Sequence, residues 1–151
     1  PMYSTAVRLA WTALLLLAWV GAGSRGLAVF GDGKGYAVGS IEGRCGIKNY
    51  DLGKPDMGKN DDFCFKCHRE EIKQESRADV FTVNGIAFNV QYNTFATYGS
   101  DGAIIVWNKD TKSKYKSSKK FPAPFTAASF TEDGKLLAYA IGYDWSKGFE
   151  H

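Results

Sequence analysis

A chain of 151 residues has room for one ordinary domain with a real hydrophobic core, and it needs no disulfide framework. With 44% hydrophobic and 23% charged residues, the composition excludes collagen-like repetition and wholesale disorder. A formal charge of +3 makes no global electrostatic case for nucleic acid, while 15% aromatics and 17 glycines point to a turn-rich β fold.

The N-terminal stretch reads differently from the rest. Arg8 precedes a run of 12 residues of low polarity, Leu9 to Val20, followed by the small-residue exit Gly21-Ala22-Gly23. This is the pattern of a secretory signal peptide, and it falls short of the ~20 apolar residues that span a bilayer. Pro1 stands before Met2. Residues 1–26 are expected to be a foreign leader joined to a domain formed by residues 27–151, and a true signal peptide on a secreted protein is the competing reading. Three cysteines, Cys45, Cys64 and Cys67, cannot all pair within one chain, which favours a reducing compartment.

From Leu27 onward short alternating runs are separated by glycine-rich turns. Strands are predicted at 27–30, 35–38, 46–50, 63–67, 83–89, 94–98, 104–107, 114–117, 126–130 and 136–140, with polar loops at 51–62 and 70–79. Sliding the chain by 42 residues sets Ile86-Ala87-Phe88 on Ala128-Ser129-Phe130 and Thr94-Phe95-Ala96 on Leu136-Leu137-Ala138. A looser copy sets Gly39–Gly43 against Gly99–Gly102. A period of about 40–45 residues built from short strands is the signature of propeller blades. Ser100-Asp101-Gly102 and Glu132-Asp133-Gly134 supply the residues that accept positive φ in hairpin turns, and Gly31 to Gly35 reads as another. Trp107 ends a strand where repeats of the WD type carry Trp, although Asn108 follows it in place of the usual Asp. The fold class predicted is all-β, a partial WD-repeat β-propeller of about three blades from a seven-bladed ring.

Five segments carry a family likeness: Gly39-Ser40-Ile41-Glu42-Gly43-Arg44, Phe65-Lys66-Cys67-His68-Arg69, Val83-Asn84-Gly85-Ile86-Ala87-Phe88, Gly99-Ser100-Asp101-Gly102 and Tyr143-Asp144-Trp145-Ser146-Lys147-Gly148. In order and spacing they resemble the C-terminal portion of the Rae/Gle-type mRNA export factors, WD-repeat propellers of the nuclear pore. The sister Bub-type checkpoint propellers share the first two segments, and the last favours the export factors. The resemblance implies a non-catalytic scaffold of the nucleus, nuclear pore complex and cytoplasm, without a cofactor or small-molecule substrate. It implies docking of the GLEBS segment of an FG nucleoporin and binding of single-stranded RNA, with mitotic checkpoint or spindle proteins as further partners. Carried over residue by residue, its basic and aromatic groove falls on Arg44, Phe65, Trp107, Asn108, Lys112 and Lys114. The six lysines between Lys109 and Lys120 face one acid, Asp110, and such a strip can follow a phosphate backbone while Tyr115 or Trp107 stacks on a base. The bland alternative is a solvated outer strand protected by lysines.

Other constellations compete. Cys64-Phe65-Lys66-Cys67-His68 has the spacing of covalent haem attachment, so a secreted c-type cytochrome using Cys64, Cys67 and His68 is the alternative from another class. Met57 and His151 are the available second axial ligands. Alternation along a strand would instead send Phe63, Phe65 and Cys67 one way and Cys64, Lys66 and His68 the other. A zinc site on these residues lacks a fourth ligand, and a hydrolase triad of Ser40 with His68 lacks a nucleophile elbow. With the other blades of the ring missing, an open three-blade stack is expected to aggregate, swap strands or oligomerise through unpaired strand edges and an uncovered apolar blade face.

Overall fold

The computed structural model describes residues 23–50, 62–72 and 74–149. The apolar run at 9–20, Met57 and His151 lie outside the described residues. Every regular element among the described residues is a β-strand, and no helix among them is long and apolar enough to cross a membrane.

Strands β1 (Ser24–Val29), β2 (Gly35–Ser40), β3 (Arg44–Asn49) and β4 (Phe63–Lys66) form one antiparallel four-stranded sheet in chain order. Two short strands, β5 (Arg69–Ile72) and β6 (Arg77–Val80), form a separate hairpin. A second four-stranded sheet follows, from β7 (Val83–Asn89), β8 (Thr94–Gly99), β9 (Ile104–Asn108) and β10 (Ser113–Ser117). Then β11 (Phe125–Phe130) and β12 (Leu137–Ile141) pair as a two-stranded sheet. The arc is a partial WD-repeat β-propeller, whose described residues make two four-stranded blades and two strands of a third, where about three blades were predicted.

The predicted strand 83–89 coincides with β7, and most others agree within two residues. Two differences matter. The expected loop at 70–79 contains the β5–β6 hairpin, whose register pairs Arg69 with Val80 and Ile72 with Arg77. At the other boundary β1 begins at Ser24, so residues 24–26, read as leader, belong to the first blade; Ser24 pairs with Ser40 and Gly26 with Gly39.

Alternation decides the packing. In β3 the buried positions are Cys45 and Ile47, and in β8 the fully buried residues Phe95 and Thr97 alternate with Ala96 and Tyr98, which are also buried because a blade lies on each side. One core fills the space between the first and second blades, around Phe30, Ile47, Val83 and Phe95. Another fills the space between the second and third, around Ala96, Tyr98, Ile104 and Phe125. The innermost strands touch backbone to backbone: a Cβ at Gly26 would lie 2.8 Å from the Cα of Gly85, and one at Gly85 would run into the Tyr98 hydroxyl. Only glycine permits that approach of β1 to β7.

Turn chemistry follows the sequence. Gly43 and Gly102 hold φ of +60° and +68° at equivalent hairpins, between β2 and β3 and between β8 and β9. A Cβ at Gly102 would also collide with the Phe121 carbonyl oxygen, which accepts no substitute because it belongs to backbone.

At one end of the arc a polar cluster ties the three blades together. Asp144, nearly buried, accepts hydrogen bonds from Asn84 Nδ2 at 2.8 Å and from the Ser100 hydroxyl, while Asn84 also donates to the Phe125 carbonyl at 3.0 Å. Burial alone would raise the Asp144 carboxyl, but the bonds from Ser100, Asn84 and Ser146 outweigh it and bring the pKa down to about 2. A lowered folded-state pKa stabilises the fold above the unfolded value of 3.8 and ceases to do so as pH falls through about 2. Acid titration of the wild type should therefore lose about 2 kcal/mol between pH 4 and pH 2 that Asp144→Asn, already lacking that charge, does not lose. Parallel urea melts across that window would refute the assignment if the two proteins lost stability alike.

Candidate nucleic-acid interface

The cleft where the outer edge of the first blade meets the second gathers most of the candidate residues. Phe65, on β4 and paired with Cys45 of β3, points toward the second blade and meets Trp107 of β9 with ring centroids 4.5 Å apart. Phe63 stacks beside Phe65 at 5.9 Å, and the Lys112 ammonium lies 4.9 Å over the Phe63 ring. A cation on an aromatic face, next to two further rings, makes a basic and aromatic surface.

The β9–β10 turn sets the lysines. Asn108 Oδ1 accepts from the backbone N–H groups of Asp110 at 2.9 Å and Thr111 at 3.0 Å. The neutral amide oxygen thus does the capping expected of the usual Asp, an Asx-type turn that leaves Lys112 in the left-handed region at φ +53°. Lys114 pairs directly across from Trp107 and lies on a fully exposed strand. Phe65, Trp107, Asn108, Lys112 and Lys114 therefore come together.

Arg44 does not join them. It precedes the buried Cys45, so alternation puts it on the opposite face of the sheet from Phe65, paired in register with Lys66. Its guanidinium sits 3.9 Å from Glu42. At that end Arg69, which sequence reasoning passed over, donates through Nη2 to the Glu42 carbonyl at 2.9 Å. Arg44, Lys66 and Arg69 form a second basic group, legible only once the register of β3 and β4 is known. The remaining lysines divide: Lys109 lies over Phe30 and pairs with Asp32 at 3.6 Å, and Lys120 pairs with Glu70 at 2.6 Å.

His68 is committed elsewhere. It is fully buried, with Nδ1 2.8 Å from Asp101 Oδ1 and Nε2 2.9 Å from Thr97 Oγ1. Trp107 Nε1 donates to the same Thr97 oxygen at 2.9 Å. Indole can only donate, so Thr97 Oγ1 accepts from it, and the hydrogen bond between Thr97 Oγ1 and His68 Nε2 carries the chain on through the ring to Asp101. The relay joins the segment after the first blade to the second strand, third strand and hairpin of the next.

This geometry corrects the haem alternative. Both ring nitrogens of His68 are bonded, Cys64 is exposed, and Cys67 is buried on the core side, its thiol pushed up to about 12 mainly by burial. The Cys45 thiol is held well above its ordinary value for the same reason. Cys64, Cys67 and His68 do not converge on one porphyrin, and no cluster of three or more His, Cys, Asp or Glu residues among the described ones could hold a metal ion. Ser40 is likewise not a nucleophile partner of His68, since its hydroxyl accepts the Glu42 N–H.

No family model matches the chain. Curated proteins do. The chain is 44% identical over 126 residues to the poly(A)+ RNA export protein of Schizosaccharomyces pombe, covering 83% of this chain and 34% of that protein. It is 42% identical over 127 residues to the mRNA export factor GLE2 of Chaetomium thermophilum, covering 84% and 34%. It is also 41% identical over 128 residues to Protein RAE1 of Arabidopsis thaliana, covering 85% and 34%. The chain is a relative of the Rae/Gle-type mRNA export factors. It spans about a third of the length of the curated relatives it matches. Among solved structures, the β-propeller domain of Cps50 (Swd1) from Myceliophteria thermophila superposes with a TM-score of 0.58 at 15% identity, covering 81% of this chain and 33% of that one. That likeness establishes the propeller fold. In this Rae/Gle relative, then, Phe65 and Trp107 spend part of their faces on each other, with Lys112 over the neighbouring Phe63 ring and Lys114 paired across from Trp107.

Proposed function

We propose that this segment supplies a ligand-binding cleft to a WD-repeat scaffold for mRNA export, acting by binding and not by catalysis. The reading rests on one coincidence: a chain 41–44% identical to proteins named as RNA export factors places Lys112 and Lys114 beside the Phe65–Trp107 pair. Single-stranded RNA fits a cleft of this kind, because lysines neutralise phosphates while aromatic surface receives a base. The Arg44, Lys66 and Arg69 group is suited to an acidic peptide, and the GLEBS segment of an FG nucleoporin is the partner proposed for it. The setting that follows is the nucleus, with the nuclear pore and cytoplasm as the ends of the route.

The test is salt-dependent binding of single-stranded RNA to the wild type and to Lys112→Ala/Lys114→Ala. Removing two phosphate contacts should weaken binding to all sequences alike and reduce the slope of log K against log salt by about 1.4. Undiminished affinity and slope in the double variant would remove the RNA assignment. Retention of a GLEBS peptide by the same variant, with its loss on Arg44→Ala/Arg69→Ala, is the result expected of two separate basic groups.

A further inference from the structure

The outer strand of the second blade carries a feature that the cleft does not use. All five residues of β10 are exposed, and β10 is the edge of its sheet. Its register against β9 pairs Lys114 with Trp107 and Lys116 with Val106, so Tyr115 is the extra residue of a β-bulge. Consecutive partners on β9 point to opposite faces. Lys114 accordingly shares the Trp107 face toward the first blade, and Lys116 shares the Val106 face, where it lines a cleft with Ile104 and Leu137. Between them the Tyr115 side chain stands 75% exposed. Neither its ring nor its hydroxyl has a partner among the described residues, and neither Lys114 nor Lys116 is in an ion pair there.

A bulge re-aims a side chain and interrupts the ladder at a sheet edge. An edge interrupted in this way and flanked by lysines is a poor template for an added peptide strand, which needs a continuous row of backbone donors and acceptors. It is a good platform for a planar ligand attached to anions: a bare aromatic ring with one cation on each side. We propose that Tyr115 is a base-stacking residue for single-stranded RNA, with Lys114 and Lys116 holding the flanking phosphates, so that the strand runs from the Phe65–Trp107 cleft along the outer edge of the second blade.

This inference rests on the RNA reading above, and the test separates the two. Fluorescence anisotropy of the full chain with a 15-nucleotide single-stranded oligoadenylate probe compares wild type, Tyr115→Ala, Tyr115→Trp and Lys112→Ala/Lys114→Ala. Loss of one stacked base lowers affinity by roughly fivefold to a hundredfold. Tyr115→Ala should show such a loss with an unchanged salt slope, because no charge is removed, and Tyr115→Trp should stay within about twofold of wild type by retaining a ring that stacks. An abasic oligonucleotide should bind wild type and Tyr115→Ala equally. Equal affinity of wild type and Tyr115→Ala for oligoadenylate, alongside weakened binding by the lysine variant, overturns the stacking proposal and leaves the cleft reading standing. Absence of RNA binding by the wild type overturns both. Binding of an oligoglutamate peptide that Tyr115→Ala weakens more than it weakens RNA overturns it in favour of a peptide site. Since Tyr115 is 75% exposed, its variants should melt with the wild type, and circular dichroism verifies that.

Discussion

His68→Ala should cost about 2–4 kcal/mol in urea denaturation, because it strips two buried groups, the Asp101 side chain and the Thr97 hydroxyl, of the hydrogen bond each makes to the ring. The imidazole is fully buried and Asp101 is 7% exposed at its side chain, so water cannot replace the lost bond without opening the blade interface. Thr97, also fully buried, loses its partner on the ring at the same time. A loss of that size is a large share of the ~5–15 kcal/mol that holds an ordinary domain. A double-mutant cycle with Asp101→Ala isolates the coupling: the double variant should be less destabilised than the sum of the singles, because neither group is then left buried and unpaired. Strict additivity would mean that the 2.8 Å contact carries no net energy.

The second large effect is at Trp107. Trp107→Ala should lose about 3–5 kcal/mol of stability, since the ring packs on Phe65 and against the core of the first blade interface. Trp107→Phe keeps most of the ring but deletes the Nε1–H bond to Thr97, and should cost only about 1–2 kcal/mol. If Trp107 were chiefly a ligand-stacking residue, both variants would fold with near wild-type stability and differ only in RNA affinity. Urea midpoints of the two variants decide between these roles.

How much of this was legible beforehand differs from element to element. The hairpins at 83–99 and 125–141 were readable because their strands recur at an offset of 42 residues, and the second closes on the turn residues Asp133-Gly134. The β5–β6 hairpin was not, because its residues are charged and largely exposed, and a strand without a buried face carries no such period. Cys64-Phe65-Lys66-Cys67-His68 illustrates the same limit for chemistry. The spacing of two thiols and an imidazole is identical whether they bind a porphyrin or not. The partners that commit His68, Thr97 and Asp101, lie 29 and 33 residues away in the chain.

The candidate cleft divides along that line. The identity of its basic and aromatic residues follows from motif and spacing. Whether they meet depends on which face each strand turns to its neighbour. Phe65 and Trp107 meet because β4 and β9 point inward across one blade interface, and Arg44 is excluded because it sits one residue out of phase with that face. Repeat length, turn residues and alternation are local properties, set by dihedral preferences and burial within a few residues, so the linear chain specifies the propeller fold. The His68 relay, the glycine contact between β1 and β7, and the bulge that frees Tyr115 are relations between segments tens of residues apart. Close packing of one blade on the next creates them, and only the folded arc defines them.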